Sequence, residues 1–353
     1  MLTTSAPGKT ILLGEYAVLW GGPALVVAVD RRATCTFEPG PETIVCAPGL
    51  GEYRPHGINT GRPLQFVEAL YQDLEVPTGR YTIDSAALYA EANGRRQKLG
   101  LGSSAATSVA FAGAIWSAQG HEIDAAAQHA IFAQVMSAHQ RVQGGGSGAD
   151  VAASTFGGAL RYAWFEEGPD DTPQAHDKIA VDGKGTALFD RVGGAQRHIL
   201  AVWTGTPADT PTFIEQVSDL RSAHPTRWRQ CMDELAAAAE AGIGAWEAND
   251  LATLALAAQS TGATLEALGQ AAGASIVTDT HRALMSLVAP EDAVVKPTGA
   301  GGGDLGWVIA RRVEDEVRTL TRLQRAGYAA WRLPIAMAGI RVDPAPTSRE
   351  SLS

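Results

Sequence analysis

The chain has 353 residues, 45% hydrophobic and 19% charged, a composition that predicts one large or two modest folded domains and excludes a disordered chain. Its 28 Lys and Arg residues against 38 Asp and Glu residues give a net charge of −10, which argues against general binding to nucleic acid or to a membrane surface. Three cysteines without metal-binding spacing, no basic leader with an apolar core and no run of about twenty apolar residues predict a cytoplasmic protein with reduced thiols and no membrane span.

Short apolar runs predict that the first hundred residues are mainly strands, at 10–13, 24–30, 33–37, 81–84 and 87–92. The spacing of apolar residues predicts one helix over 66–74. Asn93-Gly94 predicts a turn, and the charged segment 95–98 reads as the end of that turn.

The apolar spacing becomes helical after Gly102, with Ser103 as the predicted N-cap of a helix. A second helix is predicted over 124–141. Short strands are then predicted over 151–163, and the acidic run 166–171 predicts a solvated loop.

The second half begins with a predicted strand at 198–203, which is followed by three predicted helices, with Asn249 or Asp250 as a cap, at 211–222, 226–247 and 250–271. A strand at 306–310, a helix that ends at Gly327 and closing strands at 328–333 and 335–342 complete the chain. We therefore expect an α+β fold of two domains, 1–192 and 193–342, with a flexible tail at 343–353.

Three glycine-rich segments, remote from one another, each carry a charge or a hydroxyl: 6–18, 100–106 and 296–304. A fourth run of Gly, Ser and Asp lies at 144–150. Glycine allows backbone N–H groups to approach and surround a phosphate. Together the segments indicate a nucleoside triphosphate and a second anionic substrate.

The segment 100–106 enters a helix directly, so its free N–H groups and the positive end of the helix dipole favour an anion. Ser103 and Ser104 add hydroxyls that can contact phosphate oxygens or Mg²⁺. The alternatives are a tight turn with a serine cap, or a dinucleotide fingerprint at Gly100-x-Gly102-x-x-Ala105 with Glu122 on the ribose. The charged segment before it disfavours the fingerprint, which should follow a buried strand.

Lys9 lies at a predicted junction between a loop and a strand, where a lysine is either solvated or part of an anion site. The glycines before Ser147 and Asp150 exceed what a helix C-cap needs, although Asp150 could serve only as a cap. The segment 296–304 is either a hinge or a backbone surface that presses against a ligand.

The order P-G-K…G-E-Y-A-V, G-L-G-S-S-A-A, G-S-G-A-D-V-A-A and G-A-G-G-G-D resembles the GHMP small-molecule kinase superfamily over roughly residues 5 to 340. Segments 98–104, 142–150 and 203–210, and Asp304 after three glycines, are most similar to the phosphomevalonate kinase branch. The chain departs from mevalonate kinases, since 95–98 lacks their proline and no acidic residue lies between Asp124 and Asp150.

The resemblance implies an N-terminal domain like domain 2 of ribosomal protein S5 and a ferredoxin-like C-terminal domain, with ATP across the 100–106 loop, Mg²⁺ at Ser104 and the acceptor between the domains. Residues expected to carry catalysis are Lys9, Lys98 and Asp150. Residues expected to bind the nucleotide are Gly100, Leu101, Gly102, Ser103, Ser104 and Ala105. Residues expected to bind the acceptor are Lys9, Lys98, Ser147, Gly148, Asp150, Trp203, Thr204, Gly205, Thr210, Gly301 and Gly302.

The activity implied by the resemblance is transfer of phosphate from ATP to 5-phosphomevalonate, a small-molecule substrate, by a monomer or homodimer. Asp150 would then orient Lys9, because a phosphate acceptor needs little help from a base. Three alternatives stay open: a kinase for mevalonate or another alcohol, in which Asp150 is a base, a nucleotide-binding sensor without turnover, and a dehydrogenase.

Overall fold

The computed structural model describes residues 1–48, 51–55, 64–92, 95–166, 177–181, 185–195, 198–288 and 290–344. Its helices are α1 Gln65–Asp73, α2 Ser103–Ala118, α3 Ala125–Gln143, α4 Ala149–Phe156, α5 Thr210–Ala223, α6 Pro225–Ala248, α7 Leu251–Ala272, α8 Asp279–Leu287 and α9 Asp315–Arg325. Its strands are β1 Leu2–Leu13, β2 Ala24–Pro39, β3 Ile44–Ala47, β4 Gly51–Tyr53, β5 Gly79–Asp84, β6 Tyr89–Ala92, β7 Arg95–Lys98, β8 Ala159–Phe165, β9 Asp177–Val181, β10 Gly185–Arg191, β11 His198–Trp203, β12 Ala293–Pro297, β13 Leu305–Ala310, β14 Ala330–Pro334 and β15 Arg341–Asp343.

Within the described residues, nine strands form one large sheet in the order β4-β3-β5-β2-β8-β10-β9, with β1 between β2 and β15. All its neighbours are antiparallel except β3 and β5. The first six residues of β2, Ala24 to Val29, are all buried, because helices α2 and α4 cover one face and α6 and α7 approach the other. The site-bearing strand β1 therefore lies inside the molecule.

A second, four-stranded antiparallel sheet has the order β12-β13-β11-β14 and packs against helices α7, α8 and α9. Its inner residues share a core with the first sheet, in which Leu12 and Leu25 lie with Trp307 and Leu333. After β14 the chain returns to the first sheet, where β15 pairs with β1. The predicted domain boundaries at 192 and 342 remain a prediction.

The α+β prediction is confirmed, and so are the long helices α3, α5, α6 and α7 with Asp250 as a cap. The strands predicted at 10–13, 24–30 and 33–37 are parts of the longer β1 and β2. The structure adds β3, β4, α8, β9, β10 and β12, which the sequence patterns did not predict. The predicted turn at 93–94, the acidic loop beyond Glu166 and the tail beyond Pro344 lie outside the described residues.

Four local predictions are wrong. Residues 149–156 form helix α4 instead of a strand, and Thr155 Oγ1 donates to the Val151 carbonyl one turn earlier, at 2.8 Å. Residues 86–88 form a 3₁₀ turn ahead of β6. The charged segment 95–98 is strand β7, which pairs with β6 instead of ending a turn. Only 341–343 of the last closing segment forms a strand with β1.

Among the described residues no helix is long and apolar enough to cross a bilayer.

Candidate active site

One cavity of about 200 Å³ brings together all four glycine-rich segments. The residues around it come from β1 and the turn after it, from α3 and the start of α4, from the start of α5, and from the loop between β12 and β13. The residues that border the cavity include Lys9, Glu15, Tyr16, Gly100, His139, Gln140, Ser147, Gly148, Asp150, Thr210, Thr298, Gly299, Ala300 and Asp304. The arrangement predicted from separate motifs is thus a single site.

Lys9 lies within strand β1, and not at a junction between a loop and a strand as its sequence context suggested. A shift of register between Pro7 and Gly8 bends the strand there. The Lys9 backbone N–H donates to the Leu101 carbonyl at 2.9 Å, and Ser154 Oγ donates to the Pro7 carbonyl at 2.8 Å. Lys9 is therefore fixed against both the 100–106 loop and helix α4.

Gly102 is the N-cap of α2, with φ at +69°, so Ser103 is the first helical residue and the predicted serine cap is wrong. A Cβ at Gly102 would lie 3.1 Å from Lys9 Cγ and 3.4 Å from Asp150 Cβ. The Lys9 stem, the Asp150 side chain and the start of α2 thus meet at one point. Ser103 and Ser104 are half-buried in the first turn, where backbone N–H groups have no partner within the helix.

Asp150 lies in the first turn of α4, and its Oδ1 accepts the Val151 N–H at 3.0 Å. Its neighbours in α3 and β8 are His139 and Tyr162, which are both buried. Burial lowers the pKa of His139, which the Asp150 charge partly opposes, and burial followed by the Asp150 charge raises the pKa of Tyr162. Both groups are therefore neutral near pH 7, and the Lys9 stem and the Asp150 side chain both lie next to Gly102.

His139 is held in place on both sides. Its Nε2 lies 3.1 Å from Ser108 Oγ, and its ring stacks on Phe66 with the ring centres 4.2 Å apart. The Tyr162 hydroxyl donates to the Ser147 carbonyl, which fixes the turn before α4. These contacts give the Asp150 side of the cavity a rigid wall.

Asp304 adopts φ at +54°, which is uncommon for a residue other than glycine. Its carbonyl accepts the Thr204 N–H at 3.0 Å and the Thr204 hydroxyl at 2.9 Å, and its Oδ1 accepts the Ala208 N–H at 3.2 Å. The carboxylate lies directly against Gly100. Burial raises the pKa of Asp304, opposed by the Ala208 N–H and by the charges of Lys9 and Lys98. Lys98, exposed on β7, therefore acts on the same region as Lys9.

Lys296 does not offer its charge to the cavity, although it begins the third glycine-rich segment. It is fully buried, and its Nζ donates to Glu15 Oε1, to the Leu12 carbonyl at 2.9 Å and to the Pro297 carbonyl at 2.5 Å. Burial raises the pKa of Glu15 and lowers that of Lys296, and the attraction between the two opposes both effects.

Gly301 and Gly302, predicted to bind the acceptor, pack instead against Ile276, which follows α7, and against Phe213 of α5. The Gly302 N–H donates to the Ile276 carbonyl at 2.8 Å, and Gly302 lies against the Phe213 ring, while Gly301 lies against Ile276. In this segment Thr298, Gly299, Ala300 and Asp304 reach the cavity instead.

Of the predicted residues at 203–210, Thr210 borders the cavity at the start of α5. Thr204 is buried and bonds Asp304, Trp203 ends β11, and Gly205 lies in the following turn. The acceptor-binding roles assigned to Trp203, Thr204 and Gly205 remain predictions. Glu15, Tyr16, His139 and Asp304 border the cavity without having been assigned a role, although Glu15 and Tyr16 lie inside the G-E-Y-A-V motif.

The donors at this site fit an ion that is held mainly by a nucleotide. The described residues contain no cluster of three or more His, Cys, Asp or Glu side chains that could hold a metal. Mg²⁺ commonly takes one or two protein oxygens and completes its shell with phosphates and water. The Ser104 hydroxyl in the first turn of α2 is such an oxygen, and the α2 N–H groups suit nucleotide phosphates.

Comparison with known proteins gives matches over most of the chain. Residues 66–158 match the family model described as GHMP kinases N terminal domain. A phosphomevalonate kinase of Streptomyces sp. strain CL190 is 28% identical, and the alignment covers 95% of this chain and 97% of that protein. A mevalonate kinase of Aeropyrum pernix is 27% identical, over 96% of this chain and 97% of that protein.

Among solved structures, Streptococcus pneumoniae phosphomevalonate kinase in complex with phosphomevalonate and AMPPNP has a TM-score of 0.75 at 17% identity. That match covers 94% of this chain and 100% of the other. The L. major mevalonate kinase in complex with R-mevalonate has a TM-score of 0.66 at 19% identity over 94% of this chain and 95% of the other. The matches confirm the predicted fold.

Proposed function

We propose that this chain, whose residues 66–158 match the family model for the GHMP kinase N-terminal domain, transfers the terminal phosphoryl group of ATP to the phosphate of 5-phosphomevalonate. The observation that carries the proposal is the meeting of Lys9, Asp150 and the start of α2 at Gly102. A cation and a carboxylate then border one cavity, and the free N–H groups at the start of α2 lie next to both side chains. Its volume of about 200 Å³ suits a small acceptor, with the nucleotide along the start of α2.

The chemistry asked of the site is mainly electrostatic. A phosphate monoester has a second pKa of about 6, so the acceptor is largely a dianion near pH 7 and is already a nucleophile. Two like charges about 4 Å apart repel by roughly 4 kcal/mol at an effective dielectric constant near 20. The site must therefore place positive charge where the two anions meet.

Lys9 and Lys98 supply this charge in the proposal, because both act on the Asp304 region beside Gly100. The first turn of α2 holds the nucleotide phosphates through its N–H groups and the hydroxyls of Ser103 and Ser104. Asp150 orients Lys9, beside which it packs. Mg²⁺ would contact Ser104 and neutralise part of the phosphate charge.

Phosphorylation of mevalonate itself is the second candidate, and the 27% identity to the A. pernix mevalonate kinase over nearly the full length favours it. An alcohol acceptor must lose a proton, and Asp150, beside Lys9 in the cavity, would then accept it as a general base. The two candidates thus give Asp150 different roles in one geometry.

A coupled assay of ADP release over mevalonate, phosphomevalonate, homoserine and galactose separates the candidates. We expect phosphomevalonate to give the highest kcat/KM, by about tenfold or more over mevalonate. Preferential turnover of mevalonate would establish the second candidate. No turnover of any of the four, together with ATP binding, would indicate a nucleotide-binding sensor.

A further inference from the structure

An ion pair that no solvent reaches lies directly behind the cavity. The side chains of Glu15 and Lys296 are both 0% exposed, although the residues are 281 positions apart. Glu15 borders the cavity, and its Oε2 is buried without a hydrogen-bond partner. The pair joins the turn after β1 to the end of β12.

Lys296 is saturated by its surroundings. An ammonium group has three protons to donate, and here they go to the Leu12 carbonyl, the Pro297 carbonyl and Glu15 Oε1. It therefore has no proton left for a phosphate. Its contacts instead fasten the start of the segment 296–304 to strand β1.

A second contact lies four residues further along the same segment. The Tyr16 hydroxyl donates to the Ala300 carbonyl at 2.6 Å, and Tyr16 has φ at +62°, uncommon for an aromatic residue. Neighbouring residues 15 and 16 thus hold positions 296 and 300, and the backbone between them, Thr298 to Ala300, forms one wall of the cavity.

Stability alone is a poor reason for such a pair. Removing two charges from water costs several kcal/mol per ion, and apolar residues of similar size often fold as well or better. Backbone in a positive-φ conformation adds a cost of its own at Tyr16. Both costs fall on residues beside the proposed acceptor pocket. A role in the geometry of that pocket therefore explains them better than a role in stability.

We propose that Glu15 and Lys296 are positioning residues which, with the Tyr16–Ala300 contact, hold the Thr298–Ala300 wall in the geometry that the acceptor requires. This inference rests on the proposed function. The pair does not contact the transferred group. It acts through the wall, so its loss should weaken acceptor binding more than nucleotide binding.

The test compares K296M, the double variant E15Q/K296M and Y16F with L323A as a matched control. Leu323 is fully buried in the core of the second sheet, away from the cavity, and its truncation costs stability through packing alone. Each protein is measured for KM of the acceptor, KM of ATP, kcat, urea unfolding and hydrogen exchange of the 298–303 backbone.

For K296M we expect acceptor KM to rise by about tenfold or more with ATP KM changed less than about threefold, and exchange at 298–303 to become faster. Y16F should raise acceptor KM by about threefold. E15Q/K296M, without a lone buried charge, should be more stable than K296M yet keep the raised acceptor KM. L323A should lose stability and leave both KM values within about threefold.

The inference is overturned if E15Q/K296M matches the wild type in acceptor KM and in exchange at 298–303, or if L323A raises acceptor KM as much as K296M does. Acceptor measurements use whichever member of the four-compound panel the wild type turns over best. Absence of any turnover by the wild type would refute the proposed function, while the exchange data would still test the positioning role.

Discussion

Lys9 owes its position to its own backbone and to the residues around its stem. The N–H bond to the Leu101 carbonyl fixes the residue on the nucleotide loop, and the stem runs past Gly102 beside Asp150. The charge also acts on Glu15 and Asp304. Since a side chain on Gly102 would displace the stem, the glycine fixes where the positive charge can lie.

Replacing Lys9 by Met should cost more activity than replacing Asp150 by Asn if the acceptor is a phosphate. Lys9→Met removes a charge that offsets the repulsion between two anions, whereas Asp150→Asn removes only its orienting partner. We expect losses of kcat/KM on the order of 10²-fold or more for Lys9→Met and about tenfold for Asp150→Asn. Steady-state kinetics with phosphomevalonate measures both, and the reverse order would indicate base catalysis by Asp150.

Replacing the exposed Lys98 by Met should leave folding unchanged and lower turnover of a phosphorylated acceptor by about 10²-fold. The charges of Lys98 and Lys9 both lower the pKa of Asp304, and in the proposed function both offset the repulsion between the two anions. Lys178 on β9, which is also exposed, provides a matched control as Lys178→Met. Equal kinetics for the two variants would remove Lys98 from the site.

Among individual residues, the sequence identified those that lie in glycine-rich motifs. It missed those whose role depends on burial in the folded protein. Lys9 and Asp150 follow from the motifs and border the cavity, and Gly102 lies next to both. The charge of Lys296 in the third glycine-rich segment suggested a binding site for an anion. In the structure Lys296 Nζ donates to Glu15 and to two backbone carbonyls instead. A pairing across 281 positions leaves no local pattern, and therefore only the fold reveals it.

Long helices whose apolar residues recur at helical spacing were predicted from the sequence. The short helix α4 and the polar strand β7 were not. Helices α6 and α7 show apolar residues at helical spacing over more than five turns. Helix α4 has eight residues and all but Asp150 are buried, so its sequence ADVAASTF does not show the contrast between an exposed polar face and a buried apolar face. Strand β7 has the sequence RRQK and, among the described strands, pairs with β6 alone, so no alternating apolar residues mark it as a strand.

Helix α8 gives a prediction of pH dependence. His281 is buried, its Nδ1 accepts the Thr278 N–H at 3.2 Å in a capping box, and burial lowers its pKa to about 4, with Lys296 and Arg282 adding to the effect. Between about pH 6.5 and pH 4, His281 is therefore protonated in the unfolded chain and neutral in the folded protein. This contribution to stability is complete above pH 6.5 and is lost as the pH falls.

From these values His281 should account for about 2 kcal/mol of the stability lost between pH 7 and pH 5. His281→Gln keeps a capping-box acceptor without a titrating group. Urea unfolding at both pH values should show a smaller loss for this variant than for the wild type. A loss of the same size in both proteins would show that other groups cause the acid sensitivity.

The whole molecule is joined by its last described residues. After β14 the chain crosses back over the first sheet, where the Ala336 N–H donates to the Ala28 carbonyl at 3.0 Å and the Ile340 N–H to the Thr155 carbonyl at 3.1 Å. Arg32 donates to the carbonyls of Ala338 and Gly339 at 3.1 and 2.5 Å. The sequence predicted closing strands there but not their partners, because pairing between strands 338 residues apart depends on the complete fold.

This return places α4, and with it Asp150, between the N-terminal strands and the C-terminal segment. Gly339 is buried at the seam between this C-terminal segment and α4. A Cβ there would overlap the Thr155 carbonyl oxygen in α4. Since backbone cannot yield as a flexible side chain does, Gly339→Ala must separate the segment from α4. We expect it to cost about 2–3 kcal/mol of unfolding free energy.

Gly244→Ala is the matched control, since Gly244 is exposed within α6 and a Cβ there meets no atom within 4 Å. It should stabilise the protein by about 0.5–1 kcal/mol through helix propensity and a less flexible unfolded chain. Urea unfolding measures both variants, and kcat should fall only in Gly339→Ala because the shift reaches α4. Unchanged stability in Gly339→Ala would mean that the seam adapts and that α4 is held in place by the first sheet alone.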